Sequence, residues 1–268
     1  MQSETKTEQP RTITVGSGSH ARTIALRTQA GDAPTLVWLG GYRSDMRGTK
    51  AERLAQLAEK QALAFCRLDY SGHGESGGRF EDGTIGRWTE EAAAVIDAAV
   101  DGPAILIGSS MGAWIALRLI QMALAAGKPA KVAGLLLVAP APDFTHRLME
   151  PKLRDDQRAA LERDGFIAEP SDYSPAPNIY TRKLFEDGAA NLVMEGLIET
   201  RCPVTIIQGM ADQDVPFAHA LELVTHLPSE GVIVTLIRDG DHRLSRPQDL
   251  ELIERAALDL VTAARDGS

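Results

Sequence analysis

The stretch AILIGSSMGAWIALRLI, residues 104–120, constrains the fold of this 268-residue chain more than any other feature. An apolar run of strand length ends at Gly108, and a strongly apolar helical pattern begins directly after Ser110. Gly108 and Gly112 predict a turn in which the strand and the helix lie too close together for a Cβ atom. An apolar strand that runs straight into a covering helix is typical of a parallel sheet, so the turn predicts an α/β protein.

Short apolar runs alternate with helical patterns along nearly the whole chain, which predicts a mostly parallel sheet with helices on both faces. Near the N-terminus, two alternating runs joined by a Gly/Ser turn predict an antiparallel hairpin at one edge of this sheet. The eight predicted strands are residues 11–15, 21–27, 35–39, 62–68, 104–107, 132–138, 204–207 and 232–237. The predicted helices are residues 49–61, 88–100, 111–126, 217–227 and 247–264.

Residues 141 to about 200 break this rhythm, since prolines and aspartates replace the strong apolar patterns there. This segment follows the sixth predicted strand. We expect it to form a cap over the carboxyl edge of the sheet, where open α/β sheets bind their ligands. The predicted organisation is therefore a single domain over residues 1–268, with a core of about 11–140 and 201–268.

Charge and composition exclude several classes of protein. A net charge of −9 argues against a nucleic-acid partner and against docking on anionic lipid, because both need a basic surface. The longest apolar run, around residues 132–140, is too short for a membrane span. The first ten residues, MQSETKTEQP, lack the apolar region of a secretory signal. The two cysteines are expected to be reduced thiols, and together these features predict a cytoplasmic protein. They do not favour any one oligomeric state.

The pattern G-x-S-x-G marks the nucleophile of many serine hydrolases, and it occurs twice, around Ser76 and around Ser110. Ser76 is followed by two glycines and further loop residues, so no helix presents its hydroxyl. Ser110 has the strand, the abrupt turn and the immediate helix that a nucleophile needs. We therefore predict Ser110 as the nucleophile, with Ser76 as a strongly disfavoured alternative.

A serine hydroxyl needs a base and an acid, which follow the serine in chain order in enzymes with this turn. His242 follows the last predicted strand in the turn RDGDHRL, and we predict it as the base. The stretch QGMADQDVP offers two acids directly after the preceding strand. We favour Asp212 as the partner of the histidine and expect Asp214 to cap the following helix, although the residues leave Asp214 open as the acid.

The oxyanion of a tetrahedral intermediate needs two N–H donors. The backbone N–H of Met111, the residue after the nucleophile, is one predicted donor. The other is predicted in WLGGYRSDM, where the Tyr42 N–H is the best candidate because adjacent glycines let the loop turn in closely. Gly41 and Arg43 are expected to contact substrate, and Arg43 would receive a carboxylate group.

Five segments resemble a known family: GGYRSDMRGTKA, LDYSGHGESGG, DGPAILIGSSMGAW, QGMADQDVPF and DGDHRL. They are similar to the mitochondrial α/β-hydrolase-domain thioesterase family, whose animal members are described as palmitoyl-protein thioesterase and mycophenolic acid acyl-glucuronide esterase. The resemblance implies an α/β-hydrolase fold, with an eight-stranded, mostly parallel sheet, helices on both faces and a small cap insertion. It also places Ser110, Asp212 and His242 on the catalytic triad. No mitochondrial transit segment is evident, which suggests a bacterial cytoplasmic relative.

The sequence therefore predicts a serine hydrolase that needs no cofactor and no metal. It is expected to cleave acyl ester or thioester bonds of a small molecule or an acylated partner through an acyl-enzyme. Other enzymes of the same fold stay open, namely a broad carboxylesterase, a lipase, a peptidase or an acyltransferase. A non-catalytic receptor or scaffold is the alternative from a different class, because a fold does not dictate a function.

Overall fold

The computed structural model describes residues 8–127, 131–170 and 176–266. Most of the N-terminal stretch used above to predict the cell compartment lies outside these residues. The strands are β1 (Gln9–Val15), β2 (Arg22–Gln29), β3 (Asp32–Leu39), β4 (Leu63–Leu68), β5 (Ala104–Ser109), β6 (Val132–Val138), β7 (Phe166–Glu169), β8 (Asn178–Thr181), β9 (Val204–Gly209) and β10 (Val232–Ile237). The α-helices are α1 (Thr49–Lys60), α2 (Ile85–Ala99), α3 (Met111–Ala125), α4 (Asp155–Arg163), α5 (Arg182–Ala190), α6 (Phe217–Thr225) and α7 (Pro247–Asp266).

Eight strands form one sheet in the spatial order β1-β2-β4-β3-β5-β6-β9-β10. The contacts of β1 with β2 and of β2 with β4 are antiparallel, and the remaining neighbours are parallel. This arrangement confirms the predicted eight-stranded, mostly parallel sheet and its N-terminal hairpin. The predicted strands and helices are all present, with ends that differ from the prediction by at most three residues.

Helices cover both faces of the sheet, as predicted, because the strands are apolar on both sides. In β3, Leu36 and Trp38 belong to the apolar cluster that contains α1 and α7, whereas Val37 and Leu39 face the other way and belong to the cluster that contains α2, α3 and α6. These four side chains are at most 4% exposed. A strand buried on both faces reads as a continuous apolar run, which is why the central strands were visible in the sequence.

The turn between β5 and α3 has the close packing that its glycines predict. A Cβ atom on Gly108 would lie 2.5 Å from the Gly112 carbonyl oxygen, and one on Gly112 would lie 2.1 Å from the Leu39 carbonyl oxygen. No side chain fits at either distance, so only glycine allows the strand, the helix and the end of β3 to approach in this way. Between the glycines, Ser110 adopts φ 54° and ψ −117°, a backbone conformation that non-glycine residues rarely occupy.

The longest described helix, α7, has 20 residues and buries one side against the sheet through Leu250, Ile253, Ala257 and Leu260. Its other side carries charged residues, as expected of an amphipathic surface helix. Within the described residues, no helix combines the length and the apolar character that crossing a membrane would require.

The segment predicted as a cap contains more regular structure than its sequence indicates. Between β6 and β9 lie a π-helical turn at Thr145–Met149, α4, the antiparallel pair β7–β8 and α5. Leu161, Ile167 and Phe185 form a small apolar cluster that is separate from the two clusters on the main sheet. The β7–β8 pair escaped the sequence prediction because each strand has only four residues, too few for an alternating pattern to stand out.

Replacing Gly108 with alanine should strain the contact between β5 and α3, because the new Cβ would lie 2.7 Å from the Ala113 Cα as well as near Gly112. We expect the free energy of unfolding to fall by about 1–3 kcal/mol. Gly196→Ala is the matched control, since a Cβ there meets nothing within 4 Å; its effect should stay within about 0.5 kcal/mol. Urea denaturation measures both, and equal stability of the two variants would contradict the close packing.

Candidate active site

Four loops meet at the carboxyl edge of the sheet because their parallel strands are neighbours there. The sheet order reverses direction at β3 and β5, and Leu39 of β3 lies beside Gly108 of β5. The turns after β9 and β10 are brought together in the same way, with Gly209 beside Ile237. Open α/β sheets bind ligands at such a switch in strand order. The topology therefore brings together the loops that carry all the residues predicted for the site.

Ser110 is held by backbone hydrogen bonds on both sides. Its N–H donates to the Val138 carbonyl oxygen at 2.9 Å, and its own carbonyl oxygen accepts from the N–H groups of Ala113 at 3.0 Å and Ala141 at 3.2 Å. These bonds tie the serine to β6, to α3 and to the first residues of the cap segment. The surrounding structure thereby maintains the strained conformation of Ser110, as a strained residue requires.

The structure brings Ser110, His242 and Asp212 into one chain of hydrogen bonds. The His242 Nε2 atom lies 3.1 Å from the Ser110 Oγ, and the His242 Nδ1 atom lies 2.8 Å from the Asp212 Oδ2. A carboxylate only accepts hydrogen bonds, so Nδ1 carries the proton and Nε2 presents a lone pair to the serine hydroxyl. The Asp212 side chain is fully buried and the His242 side chain is 17% exposed. This is the arrangement in which an imidazole accepts a proton from serine.

The buried carboxylate of Asp212 accepts four hydrogen bonds. Its Oδ1 accepts from the backbone N–H groups of Asp214 at 2.9 Å and Val215 at 2.8 Å. Its Oδ2 accepts from the Gln208 side-chain amide at 3.1 Å, in addition to the bond from His242. A buried carboxylate needs such partners to offset the loss of water, and this network also fixes the orientation of Asp212.

Asp214 lies close to this network but does not occupy the position predicted for it. Carboxylate and imidazole atoms of Asp212, Asp214 and His242 all lie within 4.8 Å of one another. The N-cap position of α6 is Pro216, so the expectation that Asp214 caps this helix is wrong. The chain turns sharply after Asp212, whose carboxylate binds the next backbone N–H groups, and α6 therefore begins later than a cap at Asp214 would allow.

The loop after β3 lies directly against the serine. A Cβ atom on Gly41 would be 3.3 Å from the Ser110 Cβ, so the loop approaches closely, as predicted. Within the described part of the chain, neither the Tyr42 N–H nor the Met111 N–H has a hydrogen-bond acceptor in the protein. Both donors predicted for the oxyanion are therefore close to Ser110, since Met111 follows it in the chain and Tyr42 lies in the loop that contacts it. Neither N–H donates a hydrogen bond within the described part of the chain.

The side chain of Tyr42 joins this loop to the cap segment. Its ring stacks on Tyr180, with ring centroids 5.1 Å apart, and its hydroxyl donates to the Ile179 carbonyl oxygen. Burial raises the pKa of Tyr42, and it raises the pKa of Tyr180 to about 12, so both phenols stay protonated at neutral pH. Arg43 also contacts the cap segment, because its guanidinium donates to the Pro177 carbonyl oxygen.

A cleft of about 510 Å³ opens onto Ser110 and His242. Most of its wall comes from the cap segment. Its apolar lining consists of Ala141, Phe144, Leu148, Met149, Leu153 and Val215. Its polar lining consists of Tyr42, Arg43, Lys152, Gln157, Glu169, Asn178, Tyr180, Gln213 and Asp214. The volume is typical of a site for a small molecule, and one cleft offers both an apolar and a polar surface.

Ser76, the serine of the second G-x-S-x-G stretch, has a hydroxyl that forms hydrogen bonds with the backbone. Its hydroxyl donates to the Asp69 carbonyl oxygen at 2.6 Å and accepts from the Ala25 N–H at 2.8 Å. These bonds tie the loop after β4 to β2. Both hydrogen-bonding roles of the hydroxyl are thus filled by the backbone, in contrast to Ser110.

Sequence reasoning missed two polar residues that support the site. Gln208 is the polar residue near the end of the apolar strand VTIIQG, and this break in the apolar run is the sequence signal. In the structure its side chain is fully buried, and a buried amide needs a hydrogen-bond partner. His73 lies in a loop and is not among the residues predicted for the site, yet it is only 4% exposed and accepts a hydrogen bond from the Arg43 N–H at 3.3 Å. Nothing in its immediate sequence pointed to that partner, which lies 30 residues away.

Residues 36–255 match the alpha/beta hydrolase family, and the chain belongs to that family. Membership of this family supports a hydrolase enzyme. Human palmitoyl-protein thioesterase ABHD10, mitochondrial, is 31% identical over 239 residues, which is 89% of this chain and 76% of the human protein. The structure of mouse alpha/beta hydrolase domain-containing protein 10 is 28% identical, with a TM-score of 0.83 over 95% of this chain and 98% of the mouse chain.

A crystal structure of a hydrolase candidate from Agrobacterium vitis S4 is also similar. It is 56% identical, with a TM-score of 0.93 over 95% of this chain and 99% of that chain. The resemblance that the sequence motifs indicated, to a family of mitochondrial thioesterases, is therefore confirmed over most of the chain.

Replacing Gln208 with glutamate should disturb Asp212 without changing the size of the side chain. It would replace the amide donor, 3.1 Å from the Asp212 Oδ2, with a second carboxylate, and two adjacent carboxylates raise the pKa of one of them. We expect kcat on p-nitrophenyl acetate at neutral pH to fall about 10–100-fold. The same substitution at the exposed Gln61 should have no effect. Equal kcat values for the two variants would show that Asp212 does not need its amide partner.

Proposed function

We propose that this protein is a serine hydrolase that cleaves acyl ester or thioester bonds through an acyl-enzyme on Ser110. The observation that carries the proposal is the hydrogen-bond chain from the Ser110 Oγ through both nitrogens of His242 to the buried Asp212. A serine is a weak nucleophile until an adjacent base takes its proton, and the base needs a third group to fix its tautomer. Family membership and the thioesterase relatives support the same class of chemistry.

In the first half of the proposed reaction, His242 Nε2 takes the hydroxyl proton as the Ser110 Oγ attacks the acyl carbonyl carbon. The carbonyl oxygen becomes an oxyanion that accepts hydrogen bonds from the N–H groups of Tyr42 and Met111. Asp212 stabilises the imidazolium that forms. The tetrahedral intermediate then collapses, and the bond to the alcohol or thiol breaks. His242 gives its proton to the leaving group, which departs neutral.

In the second half, a water molecule gives a proton to His242 Nε2 and attacks the acyl-enzyme. The same two N–H groups stabilise the second oxyanion, and the bond between the acyl carbon and the Ser110 Oγ breaks. The proton returns from His242 to the serine, which regenerates the enzyme and releases the acid. The proposed cycle needs no cofactor, because proton transfer and oxyanion stabilisation come from the protein.

The cleft supports a substrate with one apolar and one polar part. Phe144, Leu148 and Met149 offer an apolar surface on which an acyl chain would lose its contact with water. Arg43 and Lys152 line the same cleft and carry positive charge, which favours a negatively charged group elsewhere on the substrate. The role of Arg43 as a receiver of a carboxylate stays a prediction, because its guanidinium already binds the Pro177 carbonyl oxygen.

We propose the predicted domain organisation on similar grounds. Residues 141–200 have their own apolar cluster and supply most of the cleft wall, which supports their role as a cap on the core. The cytoplasmic location also stays a proposal. It is supported by the two free cysteines, because reduced thiols are typical of a reducing compartment, whereas the curated relatives are named as mitochondrial.

Reaction with a fluorophosphonate probe tests the nucleophile. Wild-type protein should be labelled, and Ser110→Ala should lose both labelling and at least about 10⁴-fold in kcat. Ser76→Ala is the matched control because it changes the serine of the other G-x-S-x-G stretch. It should keep its labelling and lose about 0.5–1.5 kcal/mol of stability from its hydrogen bonds.

Two outcomes of this labelling experiment would reject the proposal. Labelling that survives in Ser110→Ala would assign the nucleophile to another residue. A folded wild-type protein that stays unlabelled would favour a receptor or a scaffold, since its serine would not be activated.

Partitioning with hydroxylamine tests the acyl-enzyme. An oxygen ester and a thioester of the same acyl group would pass through one shared intermediate on Ser110, so hydroxylamine and water should divide that intermediate in the same proportion. We expect the ratio of hydroxamate to free acid to be the same for both substrates at each hydroxylamine concentration. Ratios that differ between the two substrates would contradict a shared acyl-enzyme and favour direct attack by water.

A further inference from the structure

The stretch LDYSGHGESGG, residues 68–78, carries a buried histidine that the proposed reaction does not use. His73 is 4% exposed and lies among three aromatic rings. Its ring centroid is 5.7 Å from that of Tyr70, 5.1 Å from that of Phe80 and 5.2 Å from that of Trp88. This enclosure fixes the plane of the imidazole, so its two nitrogens have fixed directions.

One nitrogen of His73 has a partner that determines its protonation. The Nδ1 atom lies 3.3 Å from the Ser71 carbonyl oxygen, which also accepts from the Trp88 Nε1 at 3.1 Å. A carbonyl oxygen only accepts hydrogen bonds, so Nδ1 must carry the proton of the neutral ring. The Nε2 atom is therefore unprotonated and can accept.

The acceptor nitrogen faces the loop that carries the predicted oxyanion donor. The Arg43 N–H donates to the His73 Nε2 at 3.3 Å. Arg43 adopts φ 57°, in the left-handed region that a non-glycine residue rarely occupies. The residue directly before it is Tyr42, whose N–H has no acceptor among the described residues. The hydrogen bond from the Arg43 N–H thus fixes the peptide between Tyr42 and Arg43, which directly follows the peptide that carries the Tyr42 N–H.

Other contacts hold the rest of this loop, including the peptide that carries the Tyr42 N–H. Both the N–H and the hydroxyl of Ser44 donate to the Gly41 carbonyl oxygen, at 3.2 Å and 2.9 Å. Farther along, the Met46 N–H donates to the Asp69 Oδ1 at 2.7 Å. Asp69 comes from the same stretch after β4 as His73, so this stretch supports the oxyanion loop at two points.

We propose that His73 is a positioning residue for oxyanion stabilisation. Its unprotonated Nε2 holds the Arg43 N–H and so fixes the peptide after Tyr42, while Ser44 fixes the peptide before it, and together these bonds set the direction of the Tyr42 N–H. The inference rests on the proposed acyl transfer at Ser110. It also gives the loop that contains the second G-x-S-x-G stretch a role in the reaction, through the histidine directly before that stretch rather than through its serine. His73 itself touches no substrate in this account.

The charge state of His73 supports this role. Burial lowers the pKa of His73 to about 4, although the hydrogen bond with the Ser71 carbonyl oxygen acts to raise it; the Arg43 guanidinium lowers the pKa further, and Asp45 raises it. Tyr70, whose ring faces the imidazole, is neutral because burial raises the pKa of its hydroxyl. The unfolded histidine has a pKa of about 6.5, so stability from the neutral ring is present above that pH and declines as the pH falls toward 4. At neutral pH the Nε2 atom stays an acceptor.

Two substitutions distinguish the effect of the acceptor atom of His73 from the effect of the volume of its ring. His73→Leu keeps an apolar side chain among the aromatic rings and removes the acceptor, whereas His73→Gln keeps a side-chain oxygen that can reach the Arg43 N–H. We expect His73→Leu to lose about 10–100-fold in kcat with KM changed less than about threefold, and His73→Gln to lose about threefold or less. Affinity for an alkyl boronic acid, which forms a tetrahedral adduct with serine, should fall in parallel with kcat.

Matched changes at the exposed His20, His20→Leu and His20→Gln, should leave kcat and boronate affinity unchanged. Equal losses in His73→Leu and His73→Gln would overturn the inference, because the acceptor would then not matter. A rise in KM with kcat unchanged would also overturn it, and so would a fall in kcat without a fall in boronate affinity. These results stand apart from a failure of the proposed function, in which wild-type protein would neither turn over esters nor react with the probe at Ser110.

A measurement on wild-type protein keeps the inference testable if His73→Leu does not fold. The ¹⁵N spectrum of the His73 ring should show a protonated Nδ1 and an unprotonated Nε2 from pH 6 to 8, as the pKa of about 4 requires. A ring protonated at Nε2 in this range could not accept from the Arg43 N–H, and this result would exclude the proposed role.

Discussion

Gly112, at the start of α3, lies so close to the end of β3 that a Cβ atom there would be 2.1 Å from the Leu39 carbonyl oxygen. The candidate site depends on this close packing of β3, β5 and α3. It leaves Ser110 in a strained conformation at the end of the strand and places Met111 on the first turn of the helix. It also brings Gly41 within contact of the serine. A looser turn would move the loop that carries the Tyr42 N–H, one of the two donors proposed for the oxyanion, away from the nucleophile.

The second requirement is electrostatic, since the proposed chemistry needs a buried carboxylate whose oxygens have hydrogen-bond donors in place of water. Asp212 meets it through two backbone N–H groups, the Gln208 amide and the His242 ring. Unpaired, such a group would cost several kcal/mol or would take up a proton. The fold supplies the backbone donors because the chain turns back over the carboxylate directly after β9. The same turn delays the start of α6 to Phe217, so the capping role expected of Asp214 is not filled.

The sequence predicted those parts of the molecule whose signals are local. Continuous apolar runs showed the central strands, and the glycines around Ser110 showed the turn, because both depend on neighbours along the chain. His242 and Asp212 were predicted from their order after the last strands, and their assignment as catalytic residues stays a prediction. Gln208 was missed although its partner Asp212 is only four residues away, because a polar residue at the end of an apolar strand does not show which group its side chain binds. His73 was missed because its partner Arg43 comes from a different loop, which only the sheet order brings near. The short strands β7 and β8 were missed because four residues give no pattern.

The loop after β3 connects the proposed chemistry to the choice of substrate. On one side it is held by His73, from the loop after β4, through the Arg43 N–H. On the other side it is held by the cap segment, since Tyr42 stacks on Tyr180 and Arg43 binds the Pro177 carbonyl oxygen. A shift of the cap would therefore act on the same short loop that carries the Tyr42 N–H. In the proposed reaction that donor contributes only as charge develops on the substrate oxygen, so the proposal implies that a substrate that fits the cap well reacts faster and does not merely bind more tightly.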